Sequence, residues 1–188
     1  MPSHIRESLI DGQLDTIGQM LARGINSPAT SSMGRLFDAV AALLGIFVRE
    51  NTYEGQAAML LEAAAIRSTE CEPLPFALAG SDPLIIDWKE AILELLRRRS
   101  HGASIGDLAR SFHVTLADIV VEVANRYGIS TVVLSGGCFQ NGTLLELCAK
   151  RLTDCGFTAC WPQRVPLNDG GLAMGQVQAA MRSMRRKE

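Results

Sequence analysis

The chain has no apolar run approaching the roughly 20 residues that a membrane-spanning helix needs. Its apolar stretches are short and interrupted, as in Ala39-Val40-Ala41-Ala42-Leu43-Leu44. The N-terminal segment Met1-Pro2-Ser3-His4-Ile5-Arg6-Glu7 has no apolar signal core, which argues against secretion. Neither sign of charge dominates: 18 Lys and Arg stand against 20 Asp and Glu, a net charge of −2. The basic excess of a general nucleic-acid binder is therefore missing, as is the high net charge of a disordered chain. The five cysteines, Cys71, Cys138, Cys148, Cys155 and Cys160, are odd in number and form no CxxC pair. That excludes a disulfide framework or a Cys-type zinc site as the expectation and fits free, buried thiols in a reducing cytoplasm. Three histidines, His4, His101 and His113, are scattered without HxxxH or HExxH spacing, so they assemble no zinc site. No Ser-His-Asp or Cys-His constellation is legible.

What is present suits one domain, or one lobe of a larger one: 188 residues, of which 47 % are hydrophobic. Ile10, Leu14, Ile17 and Leu21 recur at helical spacing, and Gly24 marks a stop. A polar turn over 26–32 precedes a helix predicted over 33–47, with Leu36, Val40, Leu43, Leu44 and Phe47 on its apolar face. Another helix is predicted over 53–67. Pro73, Pro75 and Gly80-Ser81-Asp82-Pro83 then break the pattern around two short strands, 76–78 and 84–86, that read as a hairpin. Trp88, Ile92, Leu95 and Leu96 mark a helix over 88–98, and two further helices are predicted over 104–112 and 115–127.

The last third carries most of the information. Thr131-Val132-Val133-Leu134 is a short strand followed at once by Ser135-Gly136-Gly137, and Asn141 caps a helix ending near Gly156. Phe157-Thr158-Ala159-Cys160 is a second strand, and Asn168-Asp169-Gly170-Gly171 opens a final helix with Met174, Val177 and Met181 on one side. This β-turn-α-β-loop-α order implies a parallel strand pair. The basic tail over 182–188 suits a solvated helix end.

Glycines between a strand and a helix let backbone pass close to a ligand, and the helix start beyond offers free N–H groups. Such a site lies at the carboxyl end of a strand, where open α/β sheets bind ligands. A plain tight turn is the ordinary reading of Gly136-Gly137 taken alone. No Gly-Lys-Ser/Thr follows, so it is not a Walker loop, and the third glycine of a dinucleotide fingerprint is missing. Asp169 in its Gly-flanked loop suits a metal or a hydroxyl, with N-capping by Asn168 or Asp169 as the ordinary reading. Two such loops, each closing a strand and opening a helix, strengthen the ligand reading.

Gly34 stands in the first turn of its helix, beside an Arg35–Asp38 spacing that suits a surface pair, and Glu54 also begins a helix. Cys138 reads as a buried thiol before a nucleophile. Residues 105–119 space their apolar positions like a helix-turn-helix, yet the second helix offers Asp118 and Glu122 where DNA reading needs basic or amide side chains.

Four segments together resemble the HypF family, the carbamoyltransferases of NiFe-hydrogenase maturation. They are Asn26-Ser27-Pro28-Ala29-Thr30-Ser31-Ser32-Met33-Gly34-Arg35-Leu36-Phe37-Asp38, Tyr53-Glu54-Gly55-Gln56-Ala57-Ala58, Leu134-Ser135-Gly136-Gly137-Cys138-Phe139-Gln140-Asn141 and Val165-Pro166-Leu167-Asn168-Asp169-Gly170-Gly171. They occur in family order and match the carboxyl-terminal portion of the family's last domain, across residues 1–188. That domain is similar to the threonylcarbamoyl-adenosine tRNA-modification enzymes. The resemblance implies a helix-rich α/β lobe of the actin, hexokinase and heat-shock-chaperone ATPase fold (ribonuclease H-like). A helical part over about 1–127 would precede a nucleotide-contacting α/β part over about 128–188.

The family uses carbamoyl phosphate and ATP to form carbamoyl adenylate, then moves the carbamoyl group to the carboxyl-terminal cysteine of a partner, HypE. Carried over by resemblance, Gly136, Gly137 and Asn141 match the adenosine-contacting loop. Asp169 matches the aspartate that completes a divalent metal site (Mg, Zn or Fe), and Gly34, Glu54 and Gly170 are implied to line the nucleotide cleft. The paired metal histidines belong to a part of the family's domain that these 188 residues do not contain, and Ser31 stands where the tRNA-modifying relatives carry an aspartate. The resemblance thus implies weak or no transfer by this chain alone, because both lobes must close on the nucleotide. It implies a HypE-like acceptor, a separate chain supplying the missing lobe, or a homodimer as partners, in the cytoplasm, with neither membrane nor nucleic acid. A non-catalytic dimerising or docking module derived from that domain is the alternative.

Overall fold

The computed structural model describes residues 2–46, 52–68 and 71–185. The chain forms two compact units, residues 1–111 and 112–188. The first contains α1 (Ser3–Ser8), α2 (Gln13–Arg23), α3 (Met33–Leu44), α4 (Gln56–Ala65), β1 (Ala77–Ala79), β2 (Ile85–Asp87) and α5 (Lys89–Ser100). α6 (Ile105–Tyr127) begins in the first unit and ends in the second. The second unit continues with β3 (Thr131–Val133), a 3-10 turn over Gly137–Gln140, α7 (Gly142–Asp154) and β4 (Thr158–Cys160). A second 3-10 turn, Asp169–Gly171, leads into α8 (Leu172–Arg185). Among the described residues no helix is long and apolar enough to cross a membrane.

Local chemistry sets the helix ends. Gly24 and Gly45 close α2 and α3 in the left-handed conformation, and the Ser32 hydroxyl accepts from Arg35 N–H at the start of α3. The Ser104 hydroxyl accepts from Asp107 N–H at 3.0 Å, which starts α6. α3 packs against α4 and α5, burying Phe37, Val40, Ala41 and Leu44 with Ala57, Leu61 and Ala65 of α4 and Ala91 and Leu95 of α5. Arg98 on α5 bonds Glu94 and the carbonyls of Glu72 (3.0 Å) and Pro73 (3.1 Å). Hydrogen bonds from Arg97 and Arg98 hold the Glu94 carboxyl down at about 2.

Several sequence expectations shift. The buried stripe of α3 is rotated by one residue: Phe37 and Ala41 are buried, while Leu36 and Leu43 are only half-buried. Phe47 and the tail over 186–188 lie outside the described residues. Helix α4 starts at Gln56, because Gly55 takes a φ of 77° and leaves Tyr53 and Glu54 in the preceding turn. Another helix, α1, begins at Ser3 and was not anticipated; its His4 Nε2 meets Ala42 O at 2.9 Å. The hairpin is present one residue downstream of its expected place, antiparallel, with Leu78 opposite Ile86. The apolar sides of α2 and α8 are solvent-exposed, with Leu21 at 65 % and Met184 at 70 %. Cys155 and Cys160 are exposed rather than buried.

The two helices expected over 104–112 and 115–127 are one continuous helix, α6, which removes the helix-turn-helix reading. Residues 111–117 are buried in succession: Ser111, Phe112, His113, Val114, Thr115, Leu116 and Ala117. A helix buried on every side needs no amphipathic period, so its middle imitates a break when judged by periodicity alone. Neither Gly nor Pro occurs between Asp107 and Tyr127. Nor does its second half offer DNA a basic face, since Asp118 is ion-paired with Arg151. Val114→Pro at the imagined joint is expected to cost at least about 3 kcal/mol in urea unfolding, because proline breaks a helix interior. An unchanged midpoint would show that the chain turns there after all.

Candidate functional site

The second unit is built on a short parallel pair. β3 and β4 align Thr131 with Thr158, Val132 with Ala159 and Val133 with Cys160. The ladder extends past both ends: Leu134 N–H donates to Cys160 O and Thr158 N–H to Ser130 O, each at 2.8 Å. Both strands therefore point the same way, and the chain leaves each of them at the same edge. After β3 the chain passes Ser135 into Gly136, whose φ of 103° and ψ of 163° suit glycine alone. Gly136 N–H then donates to Leu167 O at 2.8 Å. That bond joins the loop after β3 directly to the loop after β4, two residues before Asp169.

The two glycine loops are therefore neighbours. Ser135, Gly136, Gly137, Asp169 and Gly170 are all exposed. Capping at the second loop falls to Asn168, whose Oδ1 accepts from Gly170 N–H at 3.1 Å. Gly171 N–H bonds Asn168 O at 2.9 Å. Asp169 is thus relieved of the capping role, and its carboxylate stands exposed at the start of the turn that leads into α8.

The glycines divide by physical requirement. Gly136 is demanded by its backbone angle. Gly171 is demanded by packing, since a Cβ there would stand 2.5 Å from Pro166 O. Gly170 is tight, with a Cβ 3.1 Å from Asn168 Oδ1. Gly137 is required by neither: a Cβ would meet nothing within 4 Å. Its bare backbone opens onto space in front of the loop.

Asn141 is 9 % exposed and caps α7, with Oδ1 accepting from Leu144 N–H at 2.8 Å. Its Nδ2 lies 2.9 Å from Nε2 of His113. Leu144 N–H can only donate, so the cap assigns the oxygen, and the amide nitrogen must face the imidazole. His113 Nε2 then accepts, which places the ring proton on Nδ1. Sequence reasoning missed His113, which stands 28 residues from Asn141 and carries no spacing signal. Desolvation pushes the Cys138 thiol up, away from the thiolate that a nucleophile needs, and burial pushes Cys148 to about 12.

Gly34 and Glu54 belong to the first unit. Gly34 is exposed in the first turn of α3, and Arg35 and Asp38 form the surface pair that their spacing suggested, at 3.5 Å. Glu54 is exposed in the turn before α4. Among the described residues no group of three His, Cys, Asp or Glu side chains is placed to hold a metal. One exposed aspartate does not make a divalent-metal site, so Asp169 fits at most one ligand position of a metal held mainly by other protein.

The glycine roles predict a contrast in thermal unfolding. Gly136→Ala should cost roughly 1–3 kcal/mol through its backbone angle. Gly137→Ala should stay within about 0.5 kcal/mol, as for an unhindered surface site. Equal losses at the two positions would refute the assignment.

Comparison with known proteins follows the same outline. Residues 3–176 match the family model described as carbamoyltransferase, Kae1-like domain, second subdomain. The carbamoyltransferase HypF of Synechocystis sp. is 38 % identical over 166 residues, covering 88 % of this chain and 21 % of that protein. HypF of Rhodobacter capsulatus is 39 % identical over 170 residues, covering 88 % and 22 %. A crystal structure of full-length HypF in a phosphate- and nucleotide-bound form superposes with a TM-score of 0.85 at 35 % identity, covering 93 % of this chain and 23 % of that one. The T. kodakarensis HypF structure gives 0.76 at 29 %, covering 93 % and 24 %. This chain therefore spans about a fifth to a quarter of the length of these relatives.

Proposed function

The chain belongs to the HypF carbamoyltransferase family as an α/β, ATPase-like lobe, and from that premise we propose that it forms one wall of the nucleotide cleft of an ATP-dependent carbamoyltransferase acting in NiFe-hydrogenase maturation. The observation that carries the reading is the pair of exposed glycine loops tied together by Gly136 N–H and Leu167 O at the ends of neighbouring parallel strands. ATP or carbamoyl adenylate would lie against Gly136 and Gly137, where no Cβ blocks backbone approach. The phosphates would extend toward Gly170 and Asp169, and Asn141 would hold the helix start beside them. Support for a nucleotide comes from a HypF relative whose structure is a nucleotide-bound form.

In the proposed transfer, the carbamoyl carbon leaves the adenylate phosphate oxygen and bonds the terminal cysteine sulfur of a HypE-like acceptor. The thiol loses its proton, and AMP departs. This chain's residues position the adenylate and exclude water from one side. A divalent metal (Mg, Zn or Fe) would need most of its ligands from a lobe supplied by further protein, with Asp169 adding one. The exposed apolar sides of α2 and α8 agree with a chain that works covered by such a lobe, and the reaction takes place in the cytoplasm. The same two faces favour a second reading, a dimerising or docking module without catalysis.

Calorimetry separates the two. ATP with magnesium is titrated into this chain joined to the preceding subdomain of the Synechocystis relative, with and without Gly137→Val. The nucleotide reading expects binding that weakens by at least about tenfold in the variant, a difference near 1.4 kcal/mol. Equal affinity overturns the site. A tight dimer of the chain by light scattering, with no ATP binding by the joined protein, favours the docking module.

A further inference from the structure

We propose that His113 is a positioning residue of the nucleotide site, locking the Asn141 side chain and through it the start of α7 behind Gly136 and Gly137. This rests on the nucleotide reading above. The buried imidazole of His113 is 0 % exposed, and it presents Nε2 to Asn141 Nδ2 at 2.9 Å. At its other end the Asn141 amide caps Leu144 N–H at 2.8 Å. An amide has two possible orientations. Flipping this one would turn Nδ2 onto Leu144 N–H, donor against donor, and break the cap. The acceptor nitrogen of His113 makes the flipped form doubly unfavourable and so selects the capping orientation.

The ring is itself restrained. Phe112 lies edge-on to it, with centroids 6.0 Å apart and planes at 81°. Asn141 also closes the 3-10 turn that begins at Gly137, through its own N–H to Cys138 O at 3.2 Å. The residue that His113 holds is thus the hinge between the bare-backbone turn and α7. A shift of Asn141 moves the N–H groups of that turn together. His113 touches no ligand in this scheme; it acts through Asn141.

The test uses His113→Leu, which fills the space without an acceptor, and His113→Gln, whose Oε1 replaces Nε2. Each is read by hydrogen exchange at the Leu144 amide and by ATP affinity of the joined protein described above. His113→Leu is expected to speed Leu144 exchange by about fivefold or more, the worth of a lost cap. It should also weaken ATP binding, with His113→Gln restoring both toward the parent. Unchanged Leu144 exchange in His113→Leu, or equal damage in the two variants, overturns the positioning role. Faster exchange with unchanged ATP affinity overturns the positioning role at the nucleotide site, whereas the nucleotide reading itself falls only if Gly137→Val also leaves ATP affinity unchanged. A measurement on the unaltered chain stands if His113→Leu does not fold: nitrogen-15 spectra should show the ring proton of His113 on Nδ1. A proton on Nε2 overturns the proposal.

Discussion

The hydrogen bond from Gly136 N–H to Leu167 O is the contact on which the site depends. Strands of three residues, as β3 and β4 are, place their carboxyl ends at one edge but do little to hold the loops that leave them. Loops at such an edge are free to splay apart. The bond removes that freedom, and it does so with a donor that only the glycine conformation aims correctly. Without it the exposed backbone around Gly137 and the carboxylate of Asp169 would be two unrelated surface features. With it they are neighbours on one rim.

Beneath that rim two buried polar side chains meet, His113 of α6 and Asn141 at the head of α7. Burying such groups is costly unless their hydrogen bonds are made, so they admit few alternative arrangements. An apolar contact would pack as well but would tolerate sliding, whereas the His113–Asn141 bond favours one seating of the start of α7.

Two faces remain uncovered, the apolar sides of α2 and α8. Their sequences are amphipathic, which in an isolated chain would be an unfavourable exposure. The relatives to which this chain is similar are four to five times as long as the matched region, as coverage of 21 % to 24 % implies. Faces of this kind are what a lobe presents when it belongs to a larger assembly. The two observations agree without either requiring the other.

Local signals carried much of this structure. Glycine stops, the Asn141 cap, the hairpin and the strand-glycine-helix order depend on residues a few positions apart, and these were legible. The family was legible too, because its motifs are short and lie in loops. The continuity of α6 was not, since burial on all sides erases the periodicity by which helices are recognised. Which way an amphipathic helix faces was not either, because a stripe of Leu and Ile does not say whether anything covers it. By itself the sequence determined the order of the elements and the two glycine loops, both set by neighbouring residues through backbone angles and caps. Only the tertiary structure decided that Gly136 meets Leu167 and that His113 holds Asn141. Those partners stand far apart along the chain, and folding alone brings a donor to its acceptor across that separation.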